Sequence, residues 1–237
     1  MANLSRPLLV LCCVLVPATC FAQSNPGGKV VTDRWYSWSL SGKPAGYFHV
    51  TQKSLPGHPP TVRFEHDFAV QWQGEAIRLQ MQTTCKDDPY FTPVKIISAG
   101  EGEEVASFEA KIAGGKMRVT GEAGEFEREI PEHTVTDFVL FEIVRRLPFR
   151  PGTVLQFHSL EASELNLKKN HKITYLGREE LELAGKKTSL HRFEQTGEGI
   201  GPCQFWVDDE HELIRILMDG RKEFLLTTEK AAKAILQ

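Results

Sequence analysis

From Val62 to Gln73 the chain alternates without exception. Val62, Phe64, His66, Phe68, Val70 and Trp72 fall on one side, and Arg63, Glu65, Asp67, Ala69, Gln71 and Gln73 on the other. A period of two means a strand with one covered face, because successive side chains of a strand point to opposite sides while a helix would scatter them. Twelve such residues span roughly 40 Å, too long to stand alone, so the strand needs partners across a sheet. Gly74-Glu75 turns the chain, and Ile77, Leu79 and Met81 continue the apolar face on the way back.

The same period recurs elsewhere. Arg34 to Leu40 and Gly46 to Thr51 read as strands joined by a turn at Ser41-Gly42-Lys43-Pro44. Ala113-Gly114-Gly115-Lys116, between Ile112 and Met117, predicts a tight hairpin. Further turns are expected at Ala184-Gly185-Lys186, Asp208-Asp209-Glu210 and Asp219-Gly220-Arg221. The Leu55-Pro56-Gly57-His58-Pro59-Pro60 segment is a loop.

Two segments leave the pattern. Thr134 as cap, with Asp137 reaching back, predicts a helix over 134–147, stopped by Leu147-Pro148. Phe138, Leu140, Phe141, Ile143 and Val144 make it apolar over most of its girth, so it must lie on a sheet face. A short helix is expected from Thr228 to Leu236, capped by Thr228 and carrying the Glu229/Lys233 pair. The fold class is therefore mainly β: about fourteen antiparallel strands in a curved sheet or half-barrel, with one buried central helix and a short C-terminal one. Phe138, Phe141 and Val144 are expected to be buried with Phe64, Phe68 and Trp72.

The first 22 residues do not belong to that fold. Arg6 precedes an apolar run from Leu8 to Val16, and Pro17-Ala18-Thr19-Cys20-Phe21-Ala22 follows. A basic start, a short apolar middle and a small residue at the break form a secretory signal peptide, cut after Ala22. The run is short for a bilayer span, and no later stretch is apolar enough for one. Lipidation at Cys20 is disfavoured, because Thr19 stands where a lipoprotein signal carries a small residue such as Gly or Ala. The expected location is therefore the periplasm or the exterior. Residues 23–237 form a single β-rich domain, with a subdomain seam conceivable near 130–153. At 41% hydrophobic, 25% charged and a net charge of −3, the chain is neither disordered nor basic enough for a nucleic-acid partner.

Of five cysteines, Cys85 and Cys203 survive cleavage. In an oxidising compartment they suggest one disulfide; two separate buried thiols are the alternative. No metal and no cofactor are expected. His211-Glu212 lacks the second histidine of a zinc-protease helix, since Arg215 stands there. Gly185-Lys186-Lys187-Thr188 lacks the upstream glycine of a phosphate loop, and Gly197-Glu198-Gly199-Ile200-Gly201-Pro202 opens no helix. Asp208, Asp209 and Glu210 read as a solvated turn rather than a cation site. Cys85 as a nucleophile would need a histidine in space. His49 and His66 alternate with apolar neighbours and are placed facing inward, as hydrogen-bonded core residues or as a proton shuttle. A hydrolase pairing His66 with Asp67 or Glu65 is the weakest reading, because those side chains point away from His66 on one strand.

Asp137-Phe138-Val139-Leu140-Phe141, Leu147-Pro148-Phe149, Pro151-Gly152-Thr153-Val154-Leu155, Gly177-Arg178-Glu179-Glu180-Leu181, His191-Arg192-Phe193, Phe205-Trp206-Val207-Asp208-Asp209 and Leu213-Ile214-Arg215 carry a resemblance. They resemble a domain of unknown function found in exported, β-rich bacterial periplasmic proteins. The likeness covers residues 134–227, and Gly42-Lys43-Pro44-Ala45-Gly46 is similar to that family's opening turn. It implies a shape like the half-barrels of LolA-like lipoprotein carriers, and it supplies no catalytic residues. The functional expectation is a non-catalytic envelope or secreted protein. A curved sheet with a greasy helix encloses space for a lipid-like or other apolar ligand, with Phe64, Phe68, Trp72, Phe138 and Phe141 as candidate lining. The alternatives are a structural or interaction module that binds an envelope protein with a filled core, and, last, the hydrolase.

Overall fold

The computed structural model describes residues 28–72, 75–101, 107–122 and 124–237. Residues 1–22, read as a signal peptide, and Cys20 among them lie outside the described residues, as does the side chain of Trp72. Eight strands come first: β1 Lys29–Leu40, β2 Lys43–Leu55, β3 Thr61–Trp72, β4 Glu75–Lys86, β5 Pro93–Glu101, β6 Phe108–Ala113, β7 Lys116–Gly121 and β8 Gly124–Glu129. Then follow β9 Thr134–Thr136 and helix α1 Leu140–Arg146. The chain ends with β10 Val154–Glu161, β11 Asn166–Leu183, β12 Lys186–Thr196, β13 Cys203–Val207, β14 Leu213–Met218, β15 Lys222–Thr227 and helix α2 Glu229–Ala234.

All fifteen strands form one curved sheet, ordered β8-β7-β6-β5-β4-β3-β2-β1-β15-β14-β13-β12-β11-β10-β9. The chain begins in the middle of the sheet and works outward to the edge at β8. It then crosses to the opposite edge at β9 and returns to the middle, where β15 pairs with β1. The link from β8 to β9 is short, residues 130–133, and α1 lies in the connection from β9 to β10, packed in the main core. Every ladder is antiparallel except β9 with β10, which is parallel because the crossover brings β9 in beside β10 in the same direction.

The edges β8 and β9 share no ladder, so backbone pairing leaves the sheet open. Side chains bridge the gap instead. Met81, Ile96 and Met117 of one wing pack with Leu160, Ala162 and Leu165 of the other. The guanidinium of Arg128 in β8 donates to the carbonyl of Leu165.

The expected turns follow from backbone sterics. Gly114 and Gly115 join β6 to β7 with φ of 56° and 75°, and Ala184 and Gly185 join β11 to β12 with φ of 50° and 77°. Two successive left-handed residues match the twist of the strands they connect, and glycine adopts that conformation without strain.

The central helix is shorter than its sequence suggests. Thr134, Val135 and Thr136 are a strand, and α1 has seven residues. Two β-branched threonines and a valine suit a pleated edge, and β10 offers the ladder. Thr134 is not a cap: its hydroxyl donates to Pro131 O at 2.8 Å, and Val139 precedes the helix with no side-chain cap. Leu147 is extended, as the residue before Pro148 must be. The C-terminal helix matches its reading: Thr228 Oγ1 accepts from Ala231 N–H at 3.3 Å, and Lys233 meets Glu229 at 2.6 Å.

The disulfide expectation is corrected. Cys85 in β4 and Cys203 in β13 are separate, buried thiols, and both belong to the apolar cluster around α1. Each packs there as a small hydrophobe. Burial pushes both thiols up, which also removes the thiolate that a Cys85 nucleophile would require.

Candidate functional site

Aromatic rings fill one flank of α1. Phe48 stands 5.3 Å from Phe138 and 5.6 Å from Phe141, and Phe64 meets Phe91 edge-on at 4.9 Å. Phe64 is wholly buried and Phe68 partly so; both are core. Neither belongs to the lining of the cleft described next.

The other flank is different. Between the start of α1 and strands β10–β15 lies a cleft of about 210 Å3. Phe138, Leu140, Phe141 and Phe224 form its apolar floor with Cys203 and Met218, and Ser159 and Gln195 add hydrogen-bonding groups. Glu161, Lys168, Asp219 and Lys222 stand at the rim, and Gly199, Ile200 and Gly201 form one lip. Of the sequence candidates, Phe138 and Phe141 reach this cleft. The rest of the lining comes from segments far apart in the chain, and periodicity carries no sign of that convergence. The glycine run at 197–201 was the available signal. A Cβ on Gly197 would come within 2.5 Å of the His171 ring, and one on Gly201 within 2.0 Å of Asp219 Oδ1. Those glycines let the lip lie against β11 and the β14–β15 turn.

Asp137 sits where the cleft meets the helix start. Its Oδ1 accepts from Phe138 N–H at 3.0 Å and from Ala162 N–H at 3.2 Å. Part of the residue stays open to the cleft, while packed atoms surround the carboxyl and push it up to about 6 despite the two backbone donors.

The helix is pinned from behind by four charges. Glu142, 2% exposed, accepts from Arg145 at 2.5 Å, and Arg145 reaches Glu212 at 2.9 Å. Arg34 bonds the same Glu212 through two nitrogens, each at 2.6 Å, and holds that carboxyl below its usual range. This is the role of Glu212, the acid of the rejected zinc motif.

The histidines divide. His66 is buried beside Phe48 and Phe64, neither ring nitrogen has a partner among the described residues, and burial pushes it down to about 3. His49 does not face inward: it stacks on Trp35 at 3.9 Å on the convex face and meets Asp33 at 2.6 Å. The acids flanking His66 are engaged elsewhere, Asp67 by Arg78 at 2.8 Å and Glu65 by Lys53 at 2.6 Å. The pairing of His66 with Asp67 or Glu65 is not formed.

Sequence reasoning missed a different histidine array. His191 Nδ1 meets the Tyr175 hydroxyl at 2.9 Å, and its Nε2 meets Asp209 at 3.0 Å. The Phe149 ring is sandwiched between His191 at 3.7 Å and His211 at 4.2 Å, so the array is roofed by a ring rather than opened to a substrate. Asp208, of the acidic turn, accepts from the N–H groups of Glu210 and Glu212 at 3.0 and 2.7 Å, which makes it a turn former.

No family model matches the chain, and no curated protein matches it either. A solved structure does: the beta-barrel-like protein of a domain of unknown function, DUF1849, from Brucella abortus. It is 12% identical, with a TM-score of 0.54 over 85% of this chain and 98% of that one. At that identity the likeness is one of fold: an uncharacterised β-rich, barrel-like architecture.

Proposed function

We propose that this is an exported, non-catalytic envelope or secreted protein, cut after Ala22, that binds a small amphiphilic ligand in the cleft beside α1. One observation carries the reading: a concave space of about 210 Å3 with an apolar floor and a charged rim, held between a pinned helix and a rigid sheet. Such a mixture of apolar walls and a few placed polar groups is how small-molecule sites are built. An open cleft with an apolar floor and charged groups at its edge suits a short chain with a head group.

Native mass spectrometry of protein purified from its own host tests this. A co-purifying small amphiphile, absent from Ile200→Trp protein with the lip plugged, is the expected result. A clean apo mass, with no uptake of short fluorescent acyl probes, would refute it. N-terminal sequencing checks the export step: Gln23 is expected first, and a lipidated Cys20 would overturn a soluble mature form. A second reading, a structural or interaction module, is favoured by the ring packing of Phe48, Phe64 and Phe91, buried together in the core. The clean apo mass would leave that reading standing.

A further inference from the structure

The charges around the cleft do not balance. Asp137, Glu161 and Asp219 share it with Lys168 and Lys222. Glu161 and Lys168 pair with each other at 3.0 Å. Asp137 has both of its hydrogen bonds on Oδ1, both from backbone, and among the described residues no basic side chain pairs with it. Asp137 lines the cleft, and among the described residues no side chain donates to its Oδ2. Asp219, exposed at the β14–β15 turn, also lacks an ion-pair partner among the described residues, and so does Lys222. The space thus carries one carboxylate in excess of its cations. Its floor holds three phenyl rings, those of Phe138, Phe141 and Phe224. Ring faces attract cations, and a carboxylate in a sheltered site forms its strongest hydrogen bonds with a charged donor.

We propose that the cleft selects a small cationic amphiphile: a primary ammonium on a short alkyl or aralkyl chain, with Asp137 Oδ2 as its counter-charge. The apolar part lies on Phe138, Phe141 and Phe224, and Ile200 closes over it. This inference rests on the cleft being a ligand site, and it adds the chemistry of the ligand. A carboxylate-headed ligand of the same size would meet Asp137 and Asp219 with like charge, and only Lys222 would be free to receive it. A neutral alcohol would fill the floor and lose the ion pair.

Three probes of one length separate these cases: hexylammonium, hexanol and hexanoate, titrated calorimetrically at neutral pH into the chain from Gln23 onward. Hexylammonium is expected to bind about tenfold or more tightly than either competitor, the scale of one charge-assisted contact. Asp137→Asn keeps an acceptor for Phe138 and Ala162. It is expected to weaken the ammonium about tenfold and leave hexanol unchanged. Ile200→Trp is expected to abolish binding of all three. If hexanol or hexanoate binds as well as hexylammonium and Ile200→Trp still blocks it, cation selection is wrong and the cleft remains a site. If no probe binds, or if binding ignores Ile200→Trp, both readings fall. Should Asp137→Asn lose its cooperative melt, Asp137→Ser, a smaller neutral acceptor, replaces it. A weaker ammonium complex with unchanged hexanol supports the proposal, and an unchanged ammonium complex overturns it.

Discussion

The two flanks of α1 are built from overlapping residues and differ in what they leave open. Toward β2 and β3, Phe48, Phe64 and Phe91 interlock with the helix and fill the space. Toward β12–β15 the partners are Cys203, Gln195, Met218 and the glycines of the 199–201 lip, and a cleft remains. Both flanks carry rings, but on one the rings interlock, and on the other Phe138, Phe141 and Phe224 form a floor left uncovered. The open flank arises where small and polar side chains face the helix and cannot meet each other across it.

The largest expected effect breaks the comparison at its hinge. Phe141 touches both flanks, ringed by Phe48, Phe205 and Phe224. Phe141→Ala should cost about 3 to 5 kcal/mol in denaturant unfolding, whereas Ile200→Ala at the lip should cost less than about 1 kcal/mol. Equal costs would mean that the two flanks are packed alike.

Acid separates the flanks next. On the filled side, His66 titrates near 3 folded against about 6.5 unfolded. Between those values the unfolded chain binds a proton that the folded one refuses, so stability is full above about pH 6.5 and falls by several kcal/mol toward pH 3. On the cleft side, Asp137 titrates near 6 folded against 3.8 unfolded. Here the folded chain holds the extra proton, so this group's contribution is present below pH 3.8 and lost as pH rises through 6. Unfolding free energies across pH 3 to 7 should show His66→Phe flattening the acid loss and Asp137→Asn steepening it. The same sign for both substitutions would contradict the assignment.

The smaller effects sharpen the picture. Removing the Arg128 guanidinium with Arg128→Ala loosens the contact between the wings and should cost about 1 kcal/mol. Faster hydrogen exchange confined to β7 and β8 would show it. Thiol titration of unfolded, unreduced protein from Gln23 onward should count two thiols, since Cys85 and Cys203 are separate. A count of none would restore the disulfide.

Much of the fold could be read along the chain. Alternation from Val62 to Trp72 is β3, the glycine pairs at 114–115 and 184–185 are hairpin turns, and Thr228 caps α2. These features are local: the period, turn sterics and a cap all act within a few residues. The start of α1 was misread for a reason equally physical. Thr134 and Asp137 satisfy a capping pattern, but β10 supplied a ladder that competed for Thr134–Thr136, and the Asp137 carboxylate took Ala162 N–H from the far side of that strand.

By itself the sequence determined a mainly β chain whose strands are one-faced, whose turns are left-handed pairs, and whose one apolar helix had to be covered. Only the tertiary structure decided that the sheet starts in its own middle, that it stays open by hydrogen bonds yet closes through side chains, and that the cleft lies on the glycine-lined flank. The reason is range. Strand, turn and cap are set by neighbours a few residues away, whereas the lining of the cleft joins Asp137, Lys168, Ile200 and Phe224, which meet only after β15 has paired with β1 and α1 has packed into the core.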